Sequence, residues 1–264
     1  MTRDSHVHSE TGGAAALPDA VREDASHAYS AADRDAIYRV MAQRRDMRHF
    51  TPGAQVAPEV LERLLLAAHA GPSVGFMQPW RFLRITDAGL RERIHACVDR
   101  ERVATARALG EREEDFLRLK VEGIREAAEL IAVCLADGRE RHVFGRRTMP
   151  YMDIASVGCA LQNLWLAARA EGLGVGWVSI FEPAELAALL QLPEGASTLA
   201  LLCIGPVPEF YDAPMLQQQR WASRMPLADV VFDNTWGQSA PFLQGLCQPG
   251  QSPMADNAGC DSSD

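Results

Sequence analysis

The segment MDIASVGCALQNLWLAARAEGLGVGWVSI, residues 152–180, decides the fold class. In its first part, 152–170, apolar residues fill one helical stripe and most of the other sides, a pattern typical of a helix buried nearly all round. In a domain of this size such a helix lies in the middle of the core or in a large subunit interface, and we favour a helix that does both. Gly172 ends it, and 173–180 has the pattern of a strand.

The flanking segments continue this alternation of helices and strands. Three residues are candidate helix starts, the first and third as side-chain caps: Asp33, Pro58 and Asp87. A short helix is expected at 183–190. Four segments have the apolar composition of strands: 80–86, 130–136, 173–180 and 198–207. The pattern predicts an α/β or α+β domain.

The C-terminal part of the folded region is predicted to form an extended arm, residues 211–237. Within it, 227–232 is apolar enough to add an edge strand, to its own sheet or to a partner's. Residues 1–32 and 238–264 have few large apolar side chains, so we expect them to be disordered tails. A single domain is expected over 33–237.

Composition excludes several classes of protein. The chain has 264 residues and a net charge of −9, and its folded part has no excess of basic residues, which argues against nucleic-acid binding. No apolar run approaches the roughly 18 residues of a membrane span, and the first residues do not form a secretory signal, so a cytoplasmic protein is expected. The six cysteines are widely spread, no metal site is predicted, and Cys134, Cys159 and Cys203 are expected to be buried and inert.

The densest polar cluster is Arg44-Arg45-Asp46-Met47-Arg48, with three guanidiniums around one carboxylate. These residues follow a predicted helix, so the arginines are explained equally well as cations that balance the helix dipole. The alternative is an anion site, because guanidinium groups bind phosphate oxygens in pairs. Asp46 is then either a salt-bridge partner of its neighbours or a group that exchanges protons with a ligand.

Two glycine-containing segments are further candidates for a ligand site. The loop 71–79 has the glycines and prolines that let a backbone approach a ligand closely, although ordinary connections share them. The alternating glycines of 172–176 do not form a dinucleotide-binding fingerprint, since they enter a strand where that motif opens a helix.

Together these segments resemble the flavin-binding nitroreductase family. The signatures of that family occur here in order, as R-R-x-x-R at 44–48, P-S-x-x-x-x-Q-P-W at 72–80 and G-L-G-x-x-W at 172–177. The resemblance runs from about residue 36 to 236 and leaves both tails uncovered. Two positions are similar to a branch of the family that destroys its flavin. Asp46 stands where ordinary members carry a small or polar residue such as Ser, and 74–77 stand where ordinary members tend to carry Asn.

The resemblance implies an α+β fold with a mixed central sheet flanked by helices, in a homodimer with a swapped C-terminal arm. It implies FMN as the ligand, with the phosphate and ribityl end held by the arginines of 44–48 and by Arg224. Ser73 would contact the flavin from the neighbouring subunit, and Val178 would lie along the ring. The full set of implied FMN-binding residues is Arg44, Arg45, Asp46, Met47, Arg48, Ser73, Val178, Ser179 and Arg224.

The implied reaction consumes reduced FMN with dioxygen and yields 5,6-dimethylbenzimidazole and erythrose 4-phosphate. Asp46 would move protons and Ser179 would position the reacting groups; these are the two implied catalytic residues. A separate flavin reductase is a candidate source of reduced FMN. Two alternatives stay open: a conventional FMN-dependent NAD(P)H oxidoreductase, and a non-catalytic flavin carrier or sensor. The charged stretch 110–126 is predicted to be a solvated helix or a lid over the flavin.

Overall fold

The computed structural model describes residues 27–243, and these form helices packed on one four-stranded sheet. The helices are α1 Ala31–Gln43, α2 Pro58–His69, α3 Ala88–Ala108, α4 Glu113–Arg118, α5 Met152–Ala170, α6 Pro183–Leu189 and α7 Met215–Gln218. The strands are β1 Trp80–Arg84, β2 Glu129–Leu135, β3 Gly174–Val178 and β4 Ser197–Gly205. The α+β class and the four main strand predictions are confirmed. Within this range none of the helices combines the length and apolar composition needed to cross a bilayer.

The sheet has the order β1-β2-β4-β3, and its neighbouring strands are all antiparallel. The mixed sheet that the resemblance implied is therefore not formed by the described strands. A single parallel bridge between Asp46 and Val175 joins the segment after α1 to the free edge of β3. This bridge is the feature of the fold that positions the candidate site.

Both faces of the sheet are covered, which explains the almost wholly apolar run of β2. Ile131 and Val133 face α2 and α5, whereas Leu130 and Ala132 face α3 and α6. Successive residues of a strand point to opposite faces, so a strand between two helical layers has no polar side. All seven residues of β2 are buried.

Helix α5 is buried on the side that faces the sheet and α2, where Leu161 and Leu164 are fully enclosed. Its opposite face is open in this chain, with Ile154 45% exposed. The prediction of burial nearly all round is therefore met on one side only. Cys159 lies on the open side, so its predicted burial is wrong for the single chain.

The other two cysteines behave as predicted. Cys134 and Cys203 are buried in the layer between the sheet and α3. Burial raises the pKa of Cys134 to about 11 and the pKa of Cys203 to about 12, so both thiols stay protonated and unreactive near neutral pH.

Three local predictions need correction. Helix α1 is capped by Ser30, whose hydroxyl accepts from the Asp33 N–H, so Asp33 already lies in the first turn. Of the charged stretch 110–126, only α4 and a single 3₁₀ turn before it are helical. Residues 227–232 do not join the sheet of this chain, because Pro226 starts a 3₁₀ turn at Leu227–Asp229.

The predicted tails and domain boundaries fall mainly outside the described residues. Positions 1–26 and 244–264 lie beyond them. Of the C-terminal positions that are described, Ser239 forms a bridge with Phe232, and Ala240 and Leu243 are buried. The boundaries at 33 and 237 remain predictions.

The cap of α3 gives a first testable prediction. The Asp87 carboxylate accepts a hydrogen bond from the Leu90 N–H at 2.6 Å, as the sequence predicted. Asp87→Ala should lower the free energy of unfolding by about 1 kcal/mol, since the helix then has an unsatisfied N–H group. Urea denaturation measures this, with Asp99→Ala on the same helix as control. Asp99 forms an exposed ion pair with Arg102 within the helix, so an equal loss in the control would contradict the capping role.

Candidate functional site

The segment that follows α1 runs along the edge of β3. The Met47 N–H donates to the Val175 carbonyl at 2.9 Å, and the Trp177 N–H donates to Asp46 Oδ1 at 3.0 Å. The strand thus uses one main-chain acceptor and one main-chain donor to hold this short segment. Asp46 is fixed at the rim of the sheet, and the arginines on either side of it are brought to the same place.

The glycines of β3 make this close approach possible. A Cβ atom on Gly176 would lie 2.3 Å from the Met47 carbonyl oxygen, and one on Gly174 would lie 3.0 Å from the Met47 side chain. Any side chain at Gly176 would push the segment off the strand. The alternating glycines, which do not form a dinucleotide motif, therefore have a packing role in the candidate site.

Asp46 and Arg48 form an ion pair against the strand. Arg48 Nη2 lies 2.5 Å from Asp46 Oδ2 and donates to the Trp177 carbonyl at 2.8 Å. Arg48 is almost fully buried, whereas the Asp46 side chain remains 41% exposed. The carboxylate is anchored at both oxygens and still faces an opening through which a ligand can reach it.

The pKa of Asp46 is raised above its usual value. The surrounding protein atoms desolvate the carboxylate more strongly than Arg48, the Trp177 N–H and Arg44 stabilise its charged form. A carboxyl group whose pKa moves toward neutral pH is better suited to both giving and taking a proton.

Arg44 and Arg45 extend the positive charge on the other side of Asp46. The Arg44 guanidinium lies over the Trp165 ring, 4.7 Å from its centre, and Arg45 donates to the main-chain carbonyl of Asp212 at 2.9 Å. Desolvation lowers the pKa of each arginine, and nearby positive charges, including that of Arg224, lower it further. The structure thus brings Arg224, an exposed residue of the arm, into electrostatic range of both.

The cluster contains buried donors without acceptors. Arg45 Nε and Arg48 Nη1 are buried and have no hydrogen-bond partner within the described chain. Buried guanidinium nitrogens without partners are costly, and the charged groups that act on Arg45 are mainly other arginines. The arrangement fits a site whose missing component is an anion.

The remaining predicted residues lie at two further places. Ser179 follows the last residue of β3 and is exposed, on the same side of the strand as Trp177 and about 7 Å along it. Val178 and Met47 have almost completely buried side chains in the core. Since each whole residue is buried in the single chain, the contacts with the flavin predicted for these two stay predictions.

Ser73 lies in the loop between α2 and β1. Its hydroxyl accepts from the Gln78 N–H at 3.1 Å, and the next N–H, that of Val74, donates to the Ser156 hydroxyl on α5 at 3.0 Å. In the described chain Ser73 makes no hydrogen bond to the arginine cluster. The expectation that it serves the neighbouring subunit's site stays a prediction.

Helix α4 packs beside the Ser179 end of the site. Phe116 of α4 lies 6.2 Å from Trp221 of the arm, and both belong to a small cluster with Ile180. The Arg112 guanidinium also stacks on the Trp221 ring, 3.4 Å from the ring centre. The helix predicted to form a lid is therefore adjacent to Ser179 and tied to the segment that carries Arg224.

Sequence reasoning missed four residues around the cluster: Trp165, Arg169, Tyr211 and Asp212. Trp165 Nε1 donates to the Arg45 carbonyl at 3.1 Å, and the Tyr211 hydroxyl accepts from the Arg48 N–H at 3.2 Å. The spacing of Trp165 and Arg169, four residues apart on α5, was a usable signal for a shared helix face. Tyr211 and Asp212 had no local signal.

Comparison with known proteins places these features in a family. Residues 41–206 match the model of the nitroreductase family. A protein of Rhodospirillum rubrum named 5,6-dimethylbenzimidazole synthase is 42% identical over 196 residues, which cover 73% of this chain and 92% of that protein. A protein of the same name from Rhodobacter capsulatus is 39% identical, and the alignment covers 73% of this chain and 94% of that protein.

Solved structures show the same fold. An iodotyrosine deiodinase bound to FMN and 3-iodo-L-tyrosine superposes with a TM-score of 0.61 at 23% identity, over 76% of this chain and all of that one. A BluB-like flavoprotein from Clostridium difficile superposes with a TM-score of 0.57 at 19% identity, over 73% of this chain and 96% of that one.

Proposed function

The chain belongs to the nitroreductase family, and on that premise we propose that it is an enzyme that converts reduced FMN and dioxygen to 5,6-dimethylbenzimidazole, the lower ligand of cobalamin. The observation that carries the proposal is the 42% identity to a protein named for making that product, over 92% of the length of that protein. The aspartate among the arginines supports it from the site, since an acid is needed there for proton transfer.

FMN fits the residues that are present. Its phosphate supplies the anion that the arginine cluster lacks, and guanidiniums bind phosphate oxygens through paired hydrogen bonds. Arg44, Arg45 and Arg224 hold the phosphate end. Arg48 Nη1, buried and without a partner, donates to the ribityl or ring end of the ligand.

Asp46 is the proton-transferring group of this proposal. When bound, reduced FMN supplies the electrons for dioxygen reduction and the carbon atoms of the product. Asp46 Oδ1 is held by the Trp177 N–H and Oδ2 by Arg48, so a proton on either oxygen has a fixed position. The raised pKa of this carboxyl lets it take up and release that proton more evenly than an ordinary aspartate.

Ser179 positions the reacting groups, and α4 restricts water at that end of the site. Within the described residues no base is hydrogen-bonded to the exposed Ser179 hydroxyl, so it acts as a hydrogen-bonding group and not as a nucleophile. The contact of α4 with Ile180 places an apolar surface next to Ser179. Exclusion of bulk water strengthens the electrostatic interactions inside the site.

A homodimer with a swapped arm completes the proposal. Large apolar side chains are exposed on the open face of α5, in the loops at 74–76 and 143–151, in the arm and just after it. They include Phe76, Phe144, Tyr151, Ile154, Trp236 and Phe242. A second copy that covers them would bring its own Ser73 to the flavin. A cytoplasmic location and a separate flavin reductase as the source of reduced FMN belong to the same proposal.

One experiment tests the function directly. Purified protein is mixed with an excess of reduced FMN, air is admitted, and both lost FMN and new 5,6-dimethylbenzimidazole are measured by chromatography and mass. We expect product in proportion to lost flavin, and none without protein. Recovery of all the flavin in oxidised form would overturn the proposal. NAD(P)H oxidation over many turnovers would then indicate a conventional reductase, and no turnover a carrier.

Ser179→Gly gives a prediction for the second catalytic residue. The variant should make product at least about tenfold more slowly, because a hydrogen bond to a reacting group is lost. Its FMN affinity should change little, since the phosphate contacts are intact. Ser197→Gly at the start of β4 is the matched control, with the same change at a strand end outside the cluster. A parental rate in Ser179→Gly would show that the hydroxyl has no such role.

A further inference from the structure

Arg169, near the end of α5, has surroundings that its position on the helix does not explain. Its guanidinium lies over the Phe210 ring, 4.0 Å from the ring centre, and Nη2 donates to Gln43 Oε1 at 3.0 Å. Its Nε is buried and has no partner within the described residues. The group is therefore held in one orientation with a donor left free.

The nearest charges make this arrangement unfavourable in the absence of a ligand. Arg169 contacts Gln43 and Phe210, and Arg45 donates to the carbonyls of the adjacent Ala42 and the nearby Asp212, so both guanidiniums lie between the same two segments. The positive charge of Arg169 accordingly lowers the pKa of Arg45, as the charges of Arg44 and Arg224 also do. Arg45 Nε is likewise buried without a partner. Two neighbouring guanidiniums that repel each other, each with a free buried donor, are stabilised by an anion that both can reach.

A cation at the C-terminus of a helix also balances the helix dipole. That role is satisfied by an exposed side chain and accounts for the position of Arg169 along α5. It does not account for a guanidinium that is stacked on an aromatic ring and has a buried donor without a partner. The stacking on Phe210 and the bond to Gln43 fix the plane of the group, which a dipole interaction does not require.

We propose that Arg169 is a further phosphate-binding residue of this protein, which together with Arg45 takes the phosphate monoester at the end of the ligand. The inference rests on the proposed function, because the phosphate is that of FMN. Phe210 and Gln43 are the platform that orients Arg169 before the ligand arrives.

The comparison of FMN with riboflavin tests this role, since riboflavin has the same ring and ribityl chain without the phosphate. Affinities are measured by quenching of flavin fluorescence. Arg169→Gln should weaken FMN binding about tenfold, the loss of one charged hydrogen-bonding group, and leave riboflavin binding within about twofold. Arg169→Lys keeps the charge but not the planar guanidinium group, so its FMN affinity should lie between those of Arg169→Gln and the parent.

Arg63→Gln is the matched control. Arg63 also lies beside the C-terminal end of α5, where it pairs with Glu171, so the variant removes one positive charge from the same region. It should leave the affinities for both flavins unchanged. Inorganic phosphate should compete with FMN on the parent protein and compete less well on Arg169→Gln.

The possible outcomes are distinct. A loss of FMN affinity confined to Arg169 variants supports the proposal. Equal losses for FMN and riboflavin would show a structural role, and no loss for either would remove Arg169 from the site; both overturn the inference while the proposed function stands. A parent protein that does not prefer FMN to riboflavin would overturn both the inference and the proposed ligand.

Discussion

Replacing Asp46 with Asn is expected to slow product formation by at least about 100-fold, the lower end of the range for loss of a general acid or base. The amide keeps an oxygen that can accept from the Trp177 N–H, so the segment stays on β3. It cannot take up or release a proton at working pH. FMN affinity should be unchanged or slightly higher, because a negative charge is removed from a cluster that binds phosphate.

The measurement is product formed in a single turnover from excess reduced FMN, beside an FMN titration of each protein. Asp99→Asn is the control, since that carboxylate is exposed on α3 and forms its ion pair with Arg102. The pH profile adds a second readout. In the parent, the rate of product formation should change at a pH above the usual pKa range of aspartic acid, because the Asp46 pKa is raised. Asp46→Asn should lack this change. A parental rate in Asp46→Asn would show that proton transfer uses another group.

Much of the fold could be predicted because its signals are local and strong. The periodic apolar residues of 58–69 and 152–170, the cap at Asp87 and the unbroken apolar run of β2 each specify one element. The errors arise where two local choices compete. Ser30 and Asp33 can both cap α1, and 227–232 has the composition of a strand behind a proline that starts a turn.

The candidate site likewise contains residues that the sequence could predict and residues that it could not. Arg44, Asp46 and Arg48 were predicted because they lie in one pentapeptide with a recognisable charge pattern. Arg169, Tyr211 and Asp212 reach the cluster only through the packing of α5 and of the segment after β4, which no local pattern records. The direction of the Asp46 pKa depends on burial opposed by three charge-stabilising contacts, so it too required the structure.

The second large effect is expected from Gly176→Ala. The added methyl carbon would lie 2.3 Å from the Met47 carbonyl oxygen, which belongs to the main chain and cannot rotate away. Either β3 or the segment 46–48 must move. The hydrogen bond from Met47 to Val175 and the one from Trp177 to Asp46 both span this contact, so both lengthen. We expect a loss of about 3 kcal/mol in the free energy of unfolding, at the upper end for overpacking a core.

The same shift should damage the site more than the global stability suggests. Asp46 and Arg48 are oriented by Trp177 main-chain atoms, so a displaced segment loses the geometry that aims both at the ligand. FMN affinity and product formation should fall together, unlike in Asp46→Asn, where only product is lost. Urea denaturation and FMN titration measure the two effects, with Gly89→Ala on the exposed first turn of α3, where a methyl group meets only ordinary contacts, as control. Full stability and affinity in Gly176→Ala would mean that the segment 46–48 does not need its close contact with β3, and the site would have to be assembled by other means.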